Sequence, residues 1–289
     1  MLSRILALVN AAIVIGAMLI ALSWLLVPPS HDRQWREDYA RLPQISQTAT
    51  TTSISNVRDW SYATSGEPIM QTWRSMTVDI NALERTYFIL EPFYDHEAIA
   101  HTMLAFSFSD DTPTLVASIE ARREVGETYR PLQAMLIPTY EYLYVWSTER
   151  DAYANSTFAT GDELYRYPLE LPLAVQRTLL SDLMTETASI AANPRWYNTL
   201  TANCTNELAR VARSRYGARM PVDIAWYLPG YSVAYLTKLG YIRDNDQNLS
   251  HISPLVRDIY TPTGQTAAEF SHELDRSQVP RPSPYTAVR

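Results

Sequence analysis

Cysteine is almost missing from this chain: Cys204 is the only one in 289 residues. An intrachain disulfide is therefore excluded. Glycine is scarce, at 8 residues, and none of it builds the loop that cradles phosphates, so no cofactor is expected. Basic runs are absent. With 24 Lys+Arg against 31 Asp+Glu the formal net charge is −7, which argues against nucleic acid as a partner. The HExxH, paired-cysteine and GxSxG spacings do not occur,. His96 and His101, with Glu97 between them, come nearest to a ligand pair, but Ile99 and Ala100 read as entry to a strand. No metal site is expected. There is no internal repeat.

What the chain has in quantity is aromatic and apolar: 19 Tyr, 7 Trp and 46% hydrophobic residues, beside 18 Pro. That is enough for a substantial core and suits a folded extracytoplasmic domain with aromatic-lined surfaces. In an oxidising compartment a lone retained thiol points to a chemical use. The structural alternative is a small buried side chain packing as an apolar group.

The first residues form a membrane end. After Met1-Leu2-Ser3-Arg4 the chain is apolar from Ile5 to Val27 and stops at Pro28-Pro29. At about 1.5 Å per residue this crosses a hydrocarbon core of roughly 30 Å. A cleaved secretory signal has a shorter apolar region and a small-x-small exit; here the exit is Trp24-Leu25-Leu26-Val27. The expectation is an uncleaved anchor over 1–29. Arg4 places the N-terminus in the cytoplasm and the rest outside. A charged, then Ser/Thr-rich linker is expected over 30–55, a folded domain over 56–260, and a flexible Pro-rich tail over 261–289.

The chemistry centres on Trp196 to Glu207. Asn203 is a good N-cap, so Cys204 becomes the first residue of a helix that carries Leu208, Val211 and Ala212 on one side and stops at Gly217,. A thiol there faces unpaired backbone N–H groups and the positive end of the helix dipole, and both favour thiolate. The same N–H groups can stabilise an oxyanion.

A second signal lies upstream. His101 to Phe108 reads as a strand, Ser109 to Thr114 as a loop, and Leu115 to Arg122 as the returning strand,. If Phe108 pairs with Leu115, His101 lies across from Arg122 and Met103 across from Glu120. His101 and Glu120 are then diagonal neighbours on one face. A carboxylate beside an imidazole fixes its tautomer and stabilises imidazolium, as a base serving a thiol requires. A one-residue slip would separate them. The structural alternative pairs Glu120 with Arg122 or Arg123.

Elsewhere the pattern predicts short strands and then a helix from Asn81 to Glu91. It gives a strand over Tyr140–Trp146, a polar turn over Ser147–Asp151 and an extended piece over Tyr165–Leu169. A helix over Pro172–Ala192 and another over Ser232–Gly240 follow,.

Four blocks occur in one order: AHTMLAFSF…LVASIEARREVGETY from Ala100, YEYLYVWSTERD from Tyr140, WYNTLTANCT from Trp196 and LPGYSVAYLTKLGYI from Leu228. Together they resemble the Lnb N-terminal periplasmic domain family, a bacterial family named for a lipoprotein N-acyltransferase, over about Trp60 to Ile242. The resemblance implies an α+β fold: a circularly permuted papain-like (NlpC/P60-like) domain with an antiparallel sheet and packed helices, preceded by one transmembrane helix. It implies location in the bacterial inner membrane with the domain in the periplasm. It also implies Cys204 as nucleophile, His101 as general base and Glu120 as the residue orienting the histidine, with Ser118 on the same face. Asn203 and Thr205 would shape the oxyanion pocket, and Arg122 would meet a lipid phosphate. The activity implied is acyl transfer through a Cys204 thioester, from a membrane phospholipid to a lipoprotein acceptor or to water. The named acyltransferase has a multi-span portion after this domain, and the present chain shows one N-terminal span. Two other functions fit the same residues: a cell-wall peptide amidase or endopeptidase, and a non-catalytic membrane-anchored scaffold.

Overall fold

The computed structural model describes residues 2–48, 51–93, 96–216, 220–243 and 250–277. Gly217 and the Pro-rich end from residue 278 onward lie outside the described residues. The chain begins with helix α1 (Leu2–Leu26), exposed along its length, and its segment Ser3–Leu26 is long and apolar enough to cross a membrane. A helix apolar on all sides and left uncovered over most of its length needs an apolar solvent.

The strands that follow are β1 (Gln44–Gln47), β2 (Thr51–Arg58), β3 (Ser61–Tyr62), β4 (Pro68–Met70), β5 (Trp73–Asp79), β6 (Leu83–Pro92), β7 (Ala100–Phe108) and β8 (Leu115–Arg122). Helix α2 (Pro131–Leu136) leads to β9 (Glu141–Thr148), α3 (Glu149–Ala154), a π-helical turn at Asn155–Thr160 and β10 (Tyr165–Pro168). Helices α4 (Leu173–Ala192), α5 (Cys204–Tyr216) and α6 (Ser232–Lys238) come next. The short β11 (Ser250–His251), α7 (Ser253–Ile259) and α8 (Ala267–Ser277) complete the described chain.

One large sheet runs in the order β1-β2-β9-β8-β7-β6-β10-β11, with β5 also on β2. Its pairings are antiparallel except β2 with β9, which is parallel through Arg58 and Ser147. The sheet is therefore mixed and not the antiparallel sheet expected, because β2 enters from far away in sequence and lies beside β9. Helices cover both faces. On one, Leu104, Phe106, Ala117 and Trp146 pack against α4 through Leu180 and Leu183, and against α5 through Leu208 and Val211. On the other, Met103, Ala105 and Val116 meet Tyr153 of α3, Val256 of α7 and Phe270 of α8. A strand covered on both sides reads as an apolar run without alternation, and β7 is buried at every residue,.

That double burial explains the largest misreading. The stretch expected as a helix from Asn81 to Glu91 is a short 3-10 turn and then β6. The Asp79 side chain accepts from the Asn81 N–H and caps only that turn. Beyond it Thr86, Tyr87, Phe88 and Ile89 are β-branched or aromatic and favour a strand. Residues 30–55 are likewise not a free linker. Trp35 bridges to Glu124, and β1 and β2 belong to the sheet. Residues 267–277 do not belong to the tail expected from residue 261, since α8 docks through Phe270 and Leu274, both fully buried. Its start is a reciprocal cap: Thr266 Oγ1 accepts from Glu269 N (3.2 Å), and Glu269 Oε2 accepts from Thr266 N (2.8 Å),. The polar turn expected at Ser147–Asp151 ends β9 and begins α3, with its charges buried in ion pairs. Asp151 takes both Arg58 (3.0 Å) and the Trp60 N–H (2.8 Å). Pairing offsets the desolvation cost that would otherwise keep such residues on the surface.

Candidate active site

Side-chain hydrogen bonds fix the start of α5. Asn203 Oδ1 accepts from Asn206 N (2.9 Å) while Asn206 Oδ1 accepts from Asn203 N (2.7 Å). The loop ahead is held in the same way: Asn198 Oδ1 accepts from Leu200 N (2.9 Å) and Thr201 N (3.0 Å), and Asn206 Nδ2 donates to the Leu200 carbonyl (2.7 Å). Cys204 is thus the first helical residue, as Asn203 predicts. As first and second residues of the helix, Cys204 and Thr205 have no carbonyl one turn back for their N–H groups.

Strand register delivers the histidine. Phe106 pairs with Leu115 and Met103 with Ser118, two residues from the pairing expected with Phe108. An even shift keeps every side chain on its face, and it moves Glu120 from diagonal to directly opposite His101. His101 Nε2 lies 2.7 Å from Ser118 Oγ and 3.0 Å from Glu120 Oε1, and the Ser118 hydroxyl donates to that same carboxylate oxygen. The imidazole charge also acts on the Cys204 thiol, whose sulfur lies 3.8 Å from Thr205 Oγ1. The Thr102 N–H and hydroxyl also reach the sulfur. Thr102 Oγ1 is 2.9 Å from Thr205 Oγ1, tying β7 to the first turn of α5. Phe93 stacks over the imidazole with ring centroids 6.2 Å apart.

The site is nearly closed, with Cys204 4% and His101 8% exposed. Burial pushes the Cys204 thiol up, but the neighbouring imidazolium charge and the hydrogen bonds from His101 and Thr102 bring it below its ordinary value. Burial pulls His101 down, yet the Glu120 charge and the thiolate drive it well above the usual histidine range. Burial raises Glu120, and the His101 charge with bonds from His101 and Ser118 holds it at about 2. All three shifts favour a thiolate–imidazolium–carboxylate row. A fourth group, Glu91, sits across β6 from His101 and is raised by burial to about 7, with His101 and a bond from Ser156 opposing the rise.

Cys204, His101 and Glu120 therefore come together, with Thr205 beside them. Asn203 is adjacent, but its side chain is spent on structure: Nδ2 donates to the Thr199 (2.8 Å) and Trp226 (3.3 Å) carbonyls. Arg122 does not reach the site, a correction to the phosphate contact expected of it. It is buried on Trp35, 4.1 Å from the ring centroid, and donates to the Tyr39 and Ala40 carbonyls (2.9 Å each). Its charge holds the membrane-proximal segment to β8. Thr102, Phe93 and Glu91 escaped the sequence reading. Thr102 adjoins His101 and was open to inspection, whereas Glu91 and Phe93 lie in and just after a stretch read as helix and its break. Among the described residues no group of three or more His, Cys, Asp or Glu is arranged to hold a metal.

The model of the Lnb N-terminal periplasmic domain family matches residues 70–228, more than half of the chain. The chain belongs to that family. The Lnb match begins just before β5 and takes in His101, Ser118, Glu120 and Cys204; α1, β1, β2 and the last three helices lie outside it. No curated protein and no solved structure gives a match. An Lnb periplasmic domain behind one exposed apolar helix fits a single-pass membrane protein.

One cavity adjoins this site. It measures about 240 Å³ and lies between the sheet, α4, α5 and α6; Leu104, Leu179, Thr205, Leu208, Ala209 and Leu236 are among its lining residues. The wall is mostly apolar, and it begins at the residue after Cys204.

Proposed function

We propose that this protein is a membrane-anchored thiol enzyme that transfers or hydrolyses acyl groups of phospholipid and lipoprotein substrates. The observation that carries this reading is the Cys204 thiol at a capped helix N-terminus, its pKa lowered by the charge of an imidazole that Ser118 and Glu120 hold. The order of His101 strand before Cys204 helix agrees with a permuted papain-like domain. The apolar cavity starting at Thr205 favours an acyl chain over a peptide.

In this mechanism the Cys204 thiolate adds to the ester carbonyl carbon of a phospholipid. The carbonyl oxygen becomes an oxyanion facing the free N–H groups of Cys204 and Thr205. As the tetrahedral species collapses, the C–O bond breaks and imidazolium His101 gives its proton to the departing lysolipid oxygen. The thioester is then attacked by the α-amino group of a lipoprotein, or by water. His101 takes the proton, and the thiolate leaves again. Glu120 stays ionised throughout and orients the ring.

Vesicle assays test this. Wild-type protein should release lysophospholipid together with fatty acid or acylated acceptor. Cys204→Ser and His101→Ala should each lower the rate by about 10²–10⁴-fold. Equal rates for all three would end the reading. The low exposure of Cys204 favours one other function, a non-catalytic scaffold. In that case the folded protein would resist iodoacetamide at Cys204, whereas an enzyme site must admit a small electrophile.

A further inference from the structure

The end of α1 is bonded to the folded domain at two places. The Trp24 indole Nε1 donates to the Leu136 carbonyl (2.8 Å), and the Trp196 indole Nε1 donates to the Val27 carbonyl (3.0 Å). Leu136 closes α2, and Trp196 opens the loop that leads to Cys204. Both belong to a stretch of surface with an unusual composition. From Pro131 to Pro138 there is no charge, and the large side chains point outward: Leu132 is 73%, Leu136 48% and the neighbouring Leu200 39% exposed. Side-chain bonds make α2 and the Leu200 loop one body. Asn198 Nδ2 donates to the Met135 carbonyl (3.0 Å), and Thr199 Oγ1 donates to the Pro131 carbonyl (2.9 Å).

We propose that α2 and the Leu200 loop are a lipid-seated face: Leu132, Leu136 and Leu200 enter the outer interface of the bilayer that α1 crosses. Isolated exposed leucines are ordinary. Here they are grouped, uncharged, and held at the depth of the last turn of the span, because Trp24 lies within that turn. Indoles at the end of a span belong to the water–lipid boundary, where one edge is apolar and the N–H finds a polar partner. The occupant of this face is therefore phospholipid at ester depth. The consequence rests on the proposed acyl chemistry. The loop that carries Leu200 also supplies the carbonyls that Asn203 and Asn206 bind, so Cys204 is fixed just above the lipid esters. A donor lipid reaches the thiol without leaving its leaflet.

The test uses the full chain in phosphatidylcholine vesicles, in a Cys204→Ala background. Nitroxide labels are attached one at a time through Leu132→Cys, Leu136→Cys, Leu200→Cys and Asp111→Cys. Asp111 lies in the loop at the other end of β7 and β8 and is the aqueous reference. Collision with oxygen should dominate at 132, 136 and 200, and collision with a polar nickel chelate at 111. Nickel access at 132 and 136 equal to that at 111 would overturn the lipid-seated face. This readout needs no turnover, so seated labels beside a wild-type chain that turns over no lipid in the same vesicles would refute only the acyl chemistry. A wild-type chain that turns over lipid, with all four labels in water, would refute only the seating.

Discussion

The acidity of the Cys204 thiol depends on a charge two groups away. Glu120 holds up the His101 imidazolium, and the imidazolium holds down the thiol. Glu120→Gln removes the first of these. The imidazolium is then lost at lower pH, and the thiol needs higher pH to ionise. Iodoacetamide alkylation of Cys204 at pH 6 should fall about tenfold for each pKa unit the thiol rises; an unchanged rate would show that the carboxylate does not govern the thiol. Stability follows the same signs. Glu120, held at about 2 against an ordinary 4.5, stabilises the fold above pH 4.5 and loses that effect as pH falls toward 2,. His101, raised above 6.5, contributes fully below pH 6.5 and loses its contribution as pH rises through its folded value,. The pair is strongest between these limits. Glu91 has the opposite sense to Glu120: raised to about 7, it favours the fold below pH 4.5 and costs stability as pH climbs through 7. Glu91→Gln should leave the unfolding free energy in urea unchanged at pH 4 and raise it at pH 8 by about 3 kcal/mol. Cys204, His101 and Glu120 were legible in the sequence because their elements are local patterns: a capping Asn before a periodic run, and two strands around one turn. Glu91 was not, since its place opposite His101 depends on a strand pairing that nothing in its own neighbourhood reveals.

Among the elements, those with a dry face and a clear boundary were readable. Helix α4 shows a periodic apolar stripe between Pro172 and Asn193, and β7 and β8 flank a turn-rich loop. Element β6 was misread because burial on both faces erases alternation, and its covering helices come from distant sequence. Helix α8 was missed because Pro and polar residues surround it, although Thr266, Glu269, Phe270 and Leu274 carry a capping box and an i,i+4 apolar pair. Its role in the core is testable. Phe270→Ala should destabilise the protein by about 3–5 kcal/mol in urea unfolding; a change below 1 kcal/mol would mean that the helix is peripheral. At the turn before α6, Gly230 donates its N–H to the Ala98 carbonyl (3.1 Å), and a Cβ there would run into the Glu97–Ala98 backbone. Gly230→Ala should therefore shift the segment leading into β7 and lower Cys204 alkylation, whereas a native rate would show that this approach has slack.

At the scale of the whole molecule, the anchor and the domain form one device. Two bonds tie the end of the span to the domain, and on the proposed lipid chemistry they would present lipid of the same bilayer at high effective concentration. Donor lipid placed in separate vesicles should therefore be turned over about 10²–10⁴-fold more slowly than lipid in the protein's own bilayer; equal rates would remove any role for tethering. The span was plain from composition alone. The contacts that seat it, through Trp24 and Trp196, were not, because they join positions more than a hundred residues apart. The most direct measurement is the intact mass of the full chain after incubation with phospholipid vesicles and rapid quenching, beside Cys204→Ala. Thioester chemistry predicts an acyl-sized adduct on the wild type alone, removed by hydroxylamine. An adduct on both proteins, or neither adduct nor lysophospholipid from the wild type, would contradict it.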